Sequence, residues 1–372
     1  MKAVVKQVHI AAGRRMLAIS DIHGKLSWLK ALLKRVDFNR EDVLVLVGDM
    51  VEKGPDSLAT LRYIMKLSQT HTVYAICGNC DNLAVDFTYG CGDMGRDFFH
   101  YYLKVWQEEA LVMQMAREAG FDVAGPGDLP ALQRLLAERF QPELEFLRGL
   151  PTILESEHFV FVHGGVPSYE HMEELDAWKC MKNDDFMGQG HSFPKYCVVG
   201  HWPVTLYRHD YPCCAPIIDR QRKIISIDGG CVLKEDGQLN ALIIPAEDSQ
   251  AFSWVSYDDC PVREALDGQD PSRDPVIIHW TDHNVEVEKQ GEEFSLCLHK
   301  ATGRRVWVLS KYLRRRGEEL WCDDTSDYRL EVAPGDILSV VEETSLGYLV
   351  KKDDITGWYL GRLKESEKGR KY

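Results

Sequence analysis

The stretch Met16-Leu17-Ala18-Ile19-Ser20-Asp21-Ile22-His23-Gly24 decides how this chain is read. Its apolar first half has the length and composition of a buried strand. Asp21 and His23 follow at the point where that strand runs into a loop. In parallel α/β sheets, ligands bind beyond the carboxyl ends of the strands, so chemistry is expected there. A single Asp-x-His pair carries little information. Its weight depends on whether other strands of the chain end in the same way.

Four more do. The apolar run 42–48 ends in Asp49, and the run 72–77 ends in Gly78-Asn79-Cys80-Asp81. The run 157–162 ends in His163-Gly164-Gly165, and the run 196–199 ends in Gly200-His201. Helical spacing over 26–33 and 56–69, with Pro55 near the start of the second helix, separates the first three strands. Strands alternating with helices predict right-handed βαβ units and a largely parallel sheet. Asp21, His23, Asp49, Asn79, His163 and His201 then share one sheet edge. Any one of them alone is more often a cap or a surface residue. Six in ordered succession are poorly explained by six independent coincidences. Carboxylate, amide and imidazole ligands together suit manganese, iron or zinc, and two carboxylates allow one to bridge two ions. Such a pair polarises a phosphoryl oxygen and lowers the pKa of a bridging water.

Outward from this region, residues 82–150 read as a helical insertion, with helices over 97–119 and 128–149 around the turn Gly125-Pro126-Gly127. Strands at 4–10, 223–228 and 239–245 complete a first domain, 1–245. Residues 246–274 are polar, acidic and proline-containing, and read as a linker. Residues 275–365 alternate short apolar runs with turns, the pattern of a small all-β domain. The length of 372 residues exceeds what one core usually supports. No run of about 18 apolar residues is present, which argues against a membrane span. A net charge of −14 argues against nucleic acid as a partner. Eleven cysteines without paired spacing, and a start without a secretory apolar region, lead to the expectation of reduced thiols and a cytoplasmic address.

Asp21-Ile-His-Gly24, Gly48-Asp-Met-Val-Glu-Lys-Gly-Pro-Asp-Ser57, Gly78-Asn-Cys-Asp81, His163-Gly-Gly165 and Gly200-His201 together resemble the calcineurin-like metallophosphoesterases. The resemblance spans about residues 14–245. Gly54-Pro55-Asp56-Ser57 and Leu150-Pro151 are similar to the phosphoprotein-phosphatase branch, especially its bacterial members. This implies an α/β (α+β) fold, a β-sandwich flanked by helices with the metals at the sheet edge. It also implies that Asp21 and His23 bind a first divalent ion, that Asp49 bridges, and that Asn79, His163 and His201 bind a second. Manganese is the expected metal, with iron, zinc or nickel as alternatives. The implied activity is metal-dependent phosphoester hydrolysis, serine/threonine-phosphatase-like in motif order, on a phosphorylated protein or small molecule.

Departures from the branch bear on the substrate. Cys80 stands where the branch has the histidine that protonates the leaving oxygen, with Asp81 after it and Glu52 at the position that supports it. Cys80, Asp81 and Glu52 are therefore the candidate catalytic groups. Lys53 replaces the phosphate-clamping arginine, keeping the charge without the bidentate fork. Lys53 and Asn79 are the candidate phosphate contacts. The changes keep the metals and weaken recognition of a dianionic monoester. A phosphodiesterase, or a nucleotide or dinucleoside polyphosphate hydrolase, is the alternative. A non-catalytic phosphoryl-binding regulator is a second one. The C-terminal runs 306–313, 333–340 and 347–361 resemble bacterial SH3-like domains. There Trp358 and Tyr359 either form a groove for a peptide or protein ligand or fill a small barrel core.

Overall fold

A computed structural model describes residues 1–90, 102, 104–317 and 319–365. The chain divides into two compact units. The first comprises Met1–Val204, Pro216–Leu233 and Gly237–Asp258; the second comprises Thr205–Ala215, Lys234–Asp236 and the residues from Asp259 onward.

The strands of the first unit, in chain order, are β1 (Val5–Gln7), β2 (Met16–Ile19), β3 (Val43–Val47), β4 (Thr72–Ile76), β5 (Ile153–Glu155), β6 (Phe159–Val162), β7 (Tyr196–Val199), β8 (Ile217–Asp219), β9 (Ile224–Ser226), β10 (Leu239–Ile244) and β11 (Ser253–Tyr257). They form two sheets, ordered β11-β10-β2-β3-β4 and β1-β5-β6-β7-β9-β8. Alternate residues decide the packing. Met16 and Ala18 of β2 and Val43, Val45 and Val47 of β3 share one core with Phe159, Phe161, Val198 and Ile225 of the other sheet. Leu17, Ile19, Leu44 and Leu46 share a second core with helices α1 (Leu26–Arg35) and α2 (Ser57–Leu67). Strands buried on both faces read as continuous apolar runs, which is how β2 and β3 look in the sequence. Each fully buried Leu or Val contributes about 1.5–3 kcal/mol relative to exposure.

The sheets are mixed. β2, β3 and β4 are parallel, and so are β6, β7 and β9, but β10, β11 and β8 run antiparallel to their neighbours. The strand ends that matter lie within the parallel parts, so they still meet at one edge. The linker expected over 246–274 instead carries β11, paired along β10, and β12 (Val262–Glu264), which belongs to the second unit. Polar and acidic content misled there, because both strands lie at sheet edges with only part of each surface covered.

Within 82–150 the described residues form helices at Leu83–Tyr89 (α3), Leu111–Glu118, Leu129–Arg139 and Gln141–Arg148. The single helix expected over 128–149 is broken after Arg139, because Pro142 opens a new one and has no N–H to donate back. The helix expected over 97–119 falls partly outside the described residues. Its later part is interrupted at Ala110, which is extended (φ −72°, ψ 132°).

Among the described residues, the second unit is all-β apart from two 3-10 turns, Ser310–Tyr312 and most of Val204–Tyr207. Among the described residues it holds a four-stranded sheet, a three-stranded sheet and two two-stranded ones. Two small cores fill it. Trp358 and Tyr359, offered above as groove residues, are buried. The Trp358 indole N–H donates to the Ser326 carbonyl at 2.9 Å, and the Tyr359 hydroxyl to the Asp267 carbonyl at 2.8 Å. They are core residues, so the aromatic groove expected from them is not formed by these side chains.

Candidate metal centre

Strand register assembles the site. Because Ile19 lies beside Leu46, and Val47 beside Ile76, the loops that follow β2, β3 and β4 emerge side by side. They are stitched by main-chain bonds from Asp21 N–H to the Gly48 carbonyl (3.1 Å) and from His23 N–H to the Asp49 carbonyl (3.0 Å). From the other sheet, Gly200 N–H donates to the His163 carbonyl at 2.9 Å, joining the last two motifs. The backbone at the centre lies in a sparsely populated region, with positive φ at Asp21 (52°), His23 (46°), Asp49 (50°) and His201 (67°). Such conformations persist only where the surroundings over-determine them, and they cluster at functional sites. The spacing also leaves no room beneath Asp49. A Cβ on Gly48 would stand 2.6 Å from the His163 imidazole, at a φ of +81°.

Asp49 is the hub. Its Oδ1 lies 3.3 Å from His163 Nε2 and its Oδ2 lies 3.8 Å from His23 Nε2. His23 Nε2 is in turn 3.9 Å from Asp21 Oδ1. Asp49 Oδ1 also accepts the Cys80 N–H at 2.8 Å, which draws the Asn79-Cys80 loop inward. The His163 Nδ1–H donates to the Val47 carbonyl at 2.9 Å, so Nε2 is the nitrogen that faces Asp49. Asp21, His23, Asp49, Cys80 and His163 are all buried. His23 Nε2, His163 Nε2 and Asn79 Oδ1 are buried without a hydrogen-bond partner. Buried polar atoms are normally satisfied, so three such atoms aimed at one cluster of carboxylates fit the binding of cations. Two overlapping ligand groups follow: His23, Asp49 and Cys80, and Asp21, Asp49 and His163. Oxygen and nitrogen donors sharing one carboxylate fit a pair of divalent ions, with Asp49 between them.

Protonation of the metal-free site fits the same picture. Burial disfavours the charged Asp49, yet His163, His23 and Lys53 hold its carboxyl well below the usual carboxylate range. Burial and nearby Asp228 push Asp21 well above it. Burial would lower His163, but Asp49 and Asp21 raise it to about 10. Burial and Lys53 bring His23 down to about 3. The competition for protons among so many buried groups is what a cation would relieve.

His201 occupies a different setting. Its main-chain N–H donates to Asp21 Oδ2 at 3.0 Å, and its ring stands edge-on to His163, with centroids 5.2 Å apart. Its Nε2 lies 2.8 Å from Asp184 Oδ1. Asn79 turns its amide nitrogen to the Cys80 sulfur at 3.3 Å, leaving Oδ1 as the donor atom toward the centre.

Of the remaining candidates, Cys80 and Lys53 stand at the centre. Burial, with Asp49 adding to it, raises the Cys80 thiol well above its ordinary value, so it is held protonated. Burial opposes the charge on Lys53, but the Cys80 sulfur, as a hydrogen-bond acceptor, and the Asp49 carboxylate hold its ammonium charged. Lys53 also lies 5.9 Å from the centre of the Trp106 ring. Glu52 and Asp81 have other contacts. Glu52 Oε2 accepts the Tyr102 hydroxyl at 2.7 Å and the Leu111 N–H at 3.0 Å, tying the second motif to the helical insertion. Asp81 Oδ2 accepts the Gly78 N–H, and its Oδ1 accepts the N–H of Met50, both at 2.9 Å. That carboxylate braces the loops that carry Asp49 and Asn79.

Three contributors escaped the sequence reading. Asp228, buried just after β9, raises the Asp21 pKa, and it carries a signal like that of Asp49, an aspartate next to a glycine after an apolar strand. Tyr102 and Asp184 carry none, since each meets its partner only through tertiary structure.

Comparison with known proteins bears on these residues. The model of the calcineurin-like phosphoesterase family matches residues 14–224. A symmetrical bis(5'-nucleosyl)-tetraphosphatase of Legionella pneumophila (strain Corby) is 26% identical over 289 residues, covering 64% of this chain and 96% of the relative. The protein of that name from Pectobacterium atrosepticum is 48% identical over 64 residues, 17% of this chain, and the chain spans only 22% of that relative's length. Among solved structures, a protein serine/threonine phosphatase from Saccharomyces cerevisiae aligns with a TM-score of 0.41 at 13% identity, over 70% of this chain and 85% of its own.

Proposed function

This chain belongs to the calcineurin-like phosphoesterase family, and from that premise we propose that it is a phosphoester hydrolase working with two divalent ions, manganese by preference. The observation that carries the reading is the convergence of His23 Nε2, His163 Nε2 and Asn79 Oδ1, all buried and unpartnered, around the shared carboxylate of Asp49. Asp21 and His23 would hold the first ion, and Asn79, His163 and His201 the second. Bound there, such ions polarise a phosphoryl oxygen and supply an activated water.

The chain's own residues set up the rest. Lys53 presents a fixed positive charge among the candidate ligands and attracts a phosphoryl oxygen as a point charge, without the fork of an arginine. Cys80 keeps its proton and is placed to pass it to the leaving oxygen. It cannot add positive charge as an imidazolium would. That weakens the case for a dianionic monoester and favours a substrate whose leaving group is already stable as an anion. A phosphate anhydride between nucleoside groups meets this condition, and the names of the relatives above support it. We therefore read the substrate as a dinucleoside polyphosphate, ahead of a phosphoprotein. The proposed address is cytoplasmic, which the ten described cysteines, all free thiols, support. The second unit we read as an SH3-like accessory module.

The test is Mn²⁺-dependent hydrolysis of diadenosine tetraphosphate, a bis-nitrophenyl phosphate, a mono-nitrophenyl phosphate and a phosphopeptide, with Asp49→Asn as control. Turnover of the anhydride above the monoester is expected. Failure to hydrolyse any of the four, by a protein that binds Mn²⁺, overturns the hydrolase reading.

A further inference from the structure

We propose that Asp184 is the positioning residue of the second metal position, holding the His201 imidazole in the tautomer that leaves Nδ1 as the ligating nitrogen. The inference rests on the metal-centre reading above and goes beyond its six ligands.

The geometry is specific. His201 Nε2 and Asp184 Oδ1 are 2.8 Å apart, a hydrogen bond in which the imidazole N–H donates to a carboxylate. A neutral imidazole protonated at Nε2 carries its lone pair on Nδ1, so one carboxylate selects both tautomer and rotation. His163 is arranged the opposite way, with Nδ1–H on the Val47 carbonyl and Nε2 turned toward Asp49. Metal-binding histidines characteristically donate their second nitrogen to a carboxylate or carbonyl. The two rings thus each have such an acceptor, one from the main chain and one from a side chain.

Asp184 is itself held. Lys182 Nζ donates to the same oxygen at 2.6 Å, and the Gln189 amide donates to the Asp184 carbonyl at 2.9 Å. The loop follows the short helix Ala177–Met181, whose Cys180 carbonyl accepts the N–H groups of Gly164 and Gly165 at 2.8 and 3.1 Å. The carboxylate that orients His201 is therefore fastened to the motif that carries His163. The competing account is a surface ion pair between Lys182 and Asp184, both nearly half exposed, that only happens to meet an imidazole. Pairs of that kind contribute about 0–1 kcal/mol and would leave metal binding alone.

The experiment is Mn²⁺ titration of the full-length metal-free chain, followed by the electron paramagnetic resonance signal of free Mn²⁺, without substrate. The wild type is expected to bind two ions. Asp184→Ala is expected to weaken one of them about 10–100-fold and to leave the other within about threefold. Asp184→Glu is expected to recover part of that loss, and Lys182→Met to leave both ions within about threefold. Thermal unfolding of the metal-free variants checks that each is folded. Unchanged affinity for both ions in Asp184→Ala overturns the inference, and so does an equal loss in Lys182→Met, which would assign the effect to the loop. A wild type that binds no Mn²⁺ would instead remove the metal-centre reading beneath it.

Discussion

The metal-centre side chains at the edge of the sandwich and the aromatics Trp358 and Tyr359 of the C-terminal β unit treat their buried polar atoms in opposite ways. In the β unit, the two large aromatics of the last strand end their polar atoms on carbonyls, Trp358 on Ser326 and Tyr359 on Asp267. At the sandwich edge, His23, His163 and Asn79 bury donor atoms that meet no partner. The first arrangement suits a side chain kept for packing. The second is costly in isolation, since an unmet buried polar group is worth roughly 1–3 kcal/mol. It makes sense only if something else arrives. Aromatic residues that attract attention in the sequence therefore belong to stability, and inconspicuous strand-end residues belong to chemistry.

Four measurements can break or sharpen that contrast. The largest effect is expected from Asp49→Asn. Removing the shared charge should reduce Mn²⁺-dependent hydrolysis on the order of 10³-fold, equivalent to several kcal/mol of transition-state stabilisation, in steady-state kinetics. Next, Tyr359→Ala in the β unit should lower the unfolding free energy by about 3–5 kcal/mol in a urea titration. Hydrolysis measured below the midpoint should stay intact. If it collapsed with Tyr359, the division of labour would be wrong. Cys80→His should shift the ratio of monoester to diester turnover upward, by up to about 10²-fold, because an imidazole acid is restored. An unchanged ratio would make Cys80 a spectator.

The smallest effect concerns pH. Burial raises Glu52 from 4.5 to about 7, against the bonds from Tyr102 and Leu111 that favour its charge. A carboxyl with a raised folded pKa binds its proton more tightly in the folded state. Its contribution is complete below about pH 4.5 and is lost as pH rises through about 7. The metal-free protein should lose roughly 1–3 kcal/mol of stability across that window, and Glu52→Gln should flatten the slope, as read by denaturant titrations at several pH values.

The parallel strands and their polar ends were legible because period, length and turn residues are local properties. β2, β3, β4, β6 and β7 all lie where apolar runs predict them, as do α1 and α2. β5, β8 and β11 were not legible. The first two are three residues long, and β11 has alternate surfaces only partly covered. At the site, Asp49 could be placed at the centre from pattern alone. The partners of Glu52 could not, because Tyr102 and Leu111 lie 50 and 59 residues away in an insertion whose packing no local rule describes. The family pattern pointed Glu52 at residue 80, where this chain has a thiol instead of an imidazole. The carboxylate engages the insertion, where the Leu111 N–H and the Tyr102 hydroxyl are its partners.

One bond has a wider consequence. His163 Nδ1 reaches the carbonyl of Val47, so a residue from the β6 end is tied to the last residue of β3 in the opposite sheet. Asp21, Asp49 and Asn79 come from the sheet of β2, β3 and β4, whereas His163 and His201 come from that of β6 and β7. A cation bridging these donors would act as a clasp between two parts of the chain that are more than eighty residues apart in sequence. Loss of metal by chelation should then be felt as loosening of the whole sandwich, and the last event of folding should be the one that makes the protein competent to bind its ions.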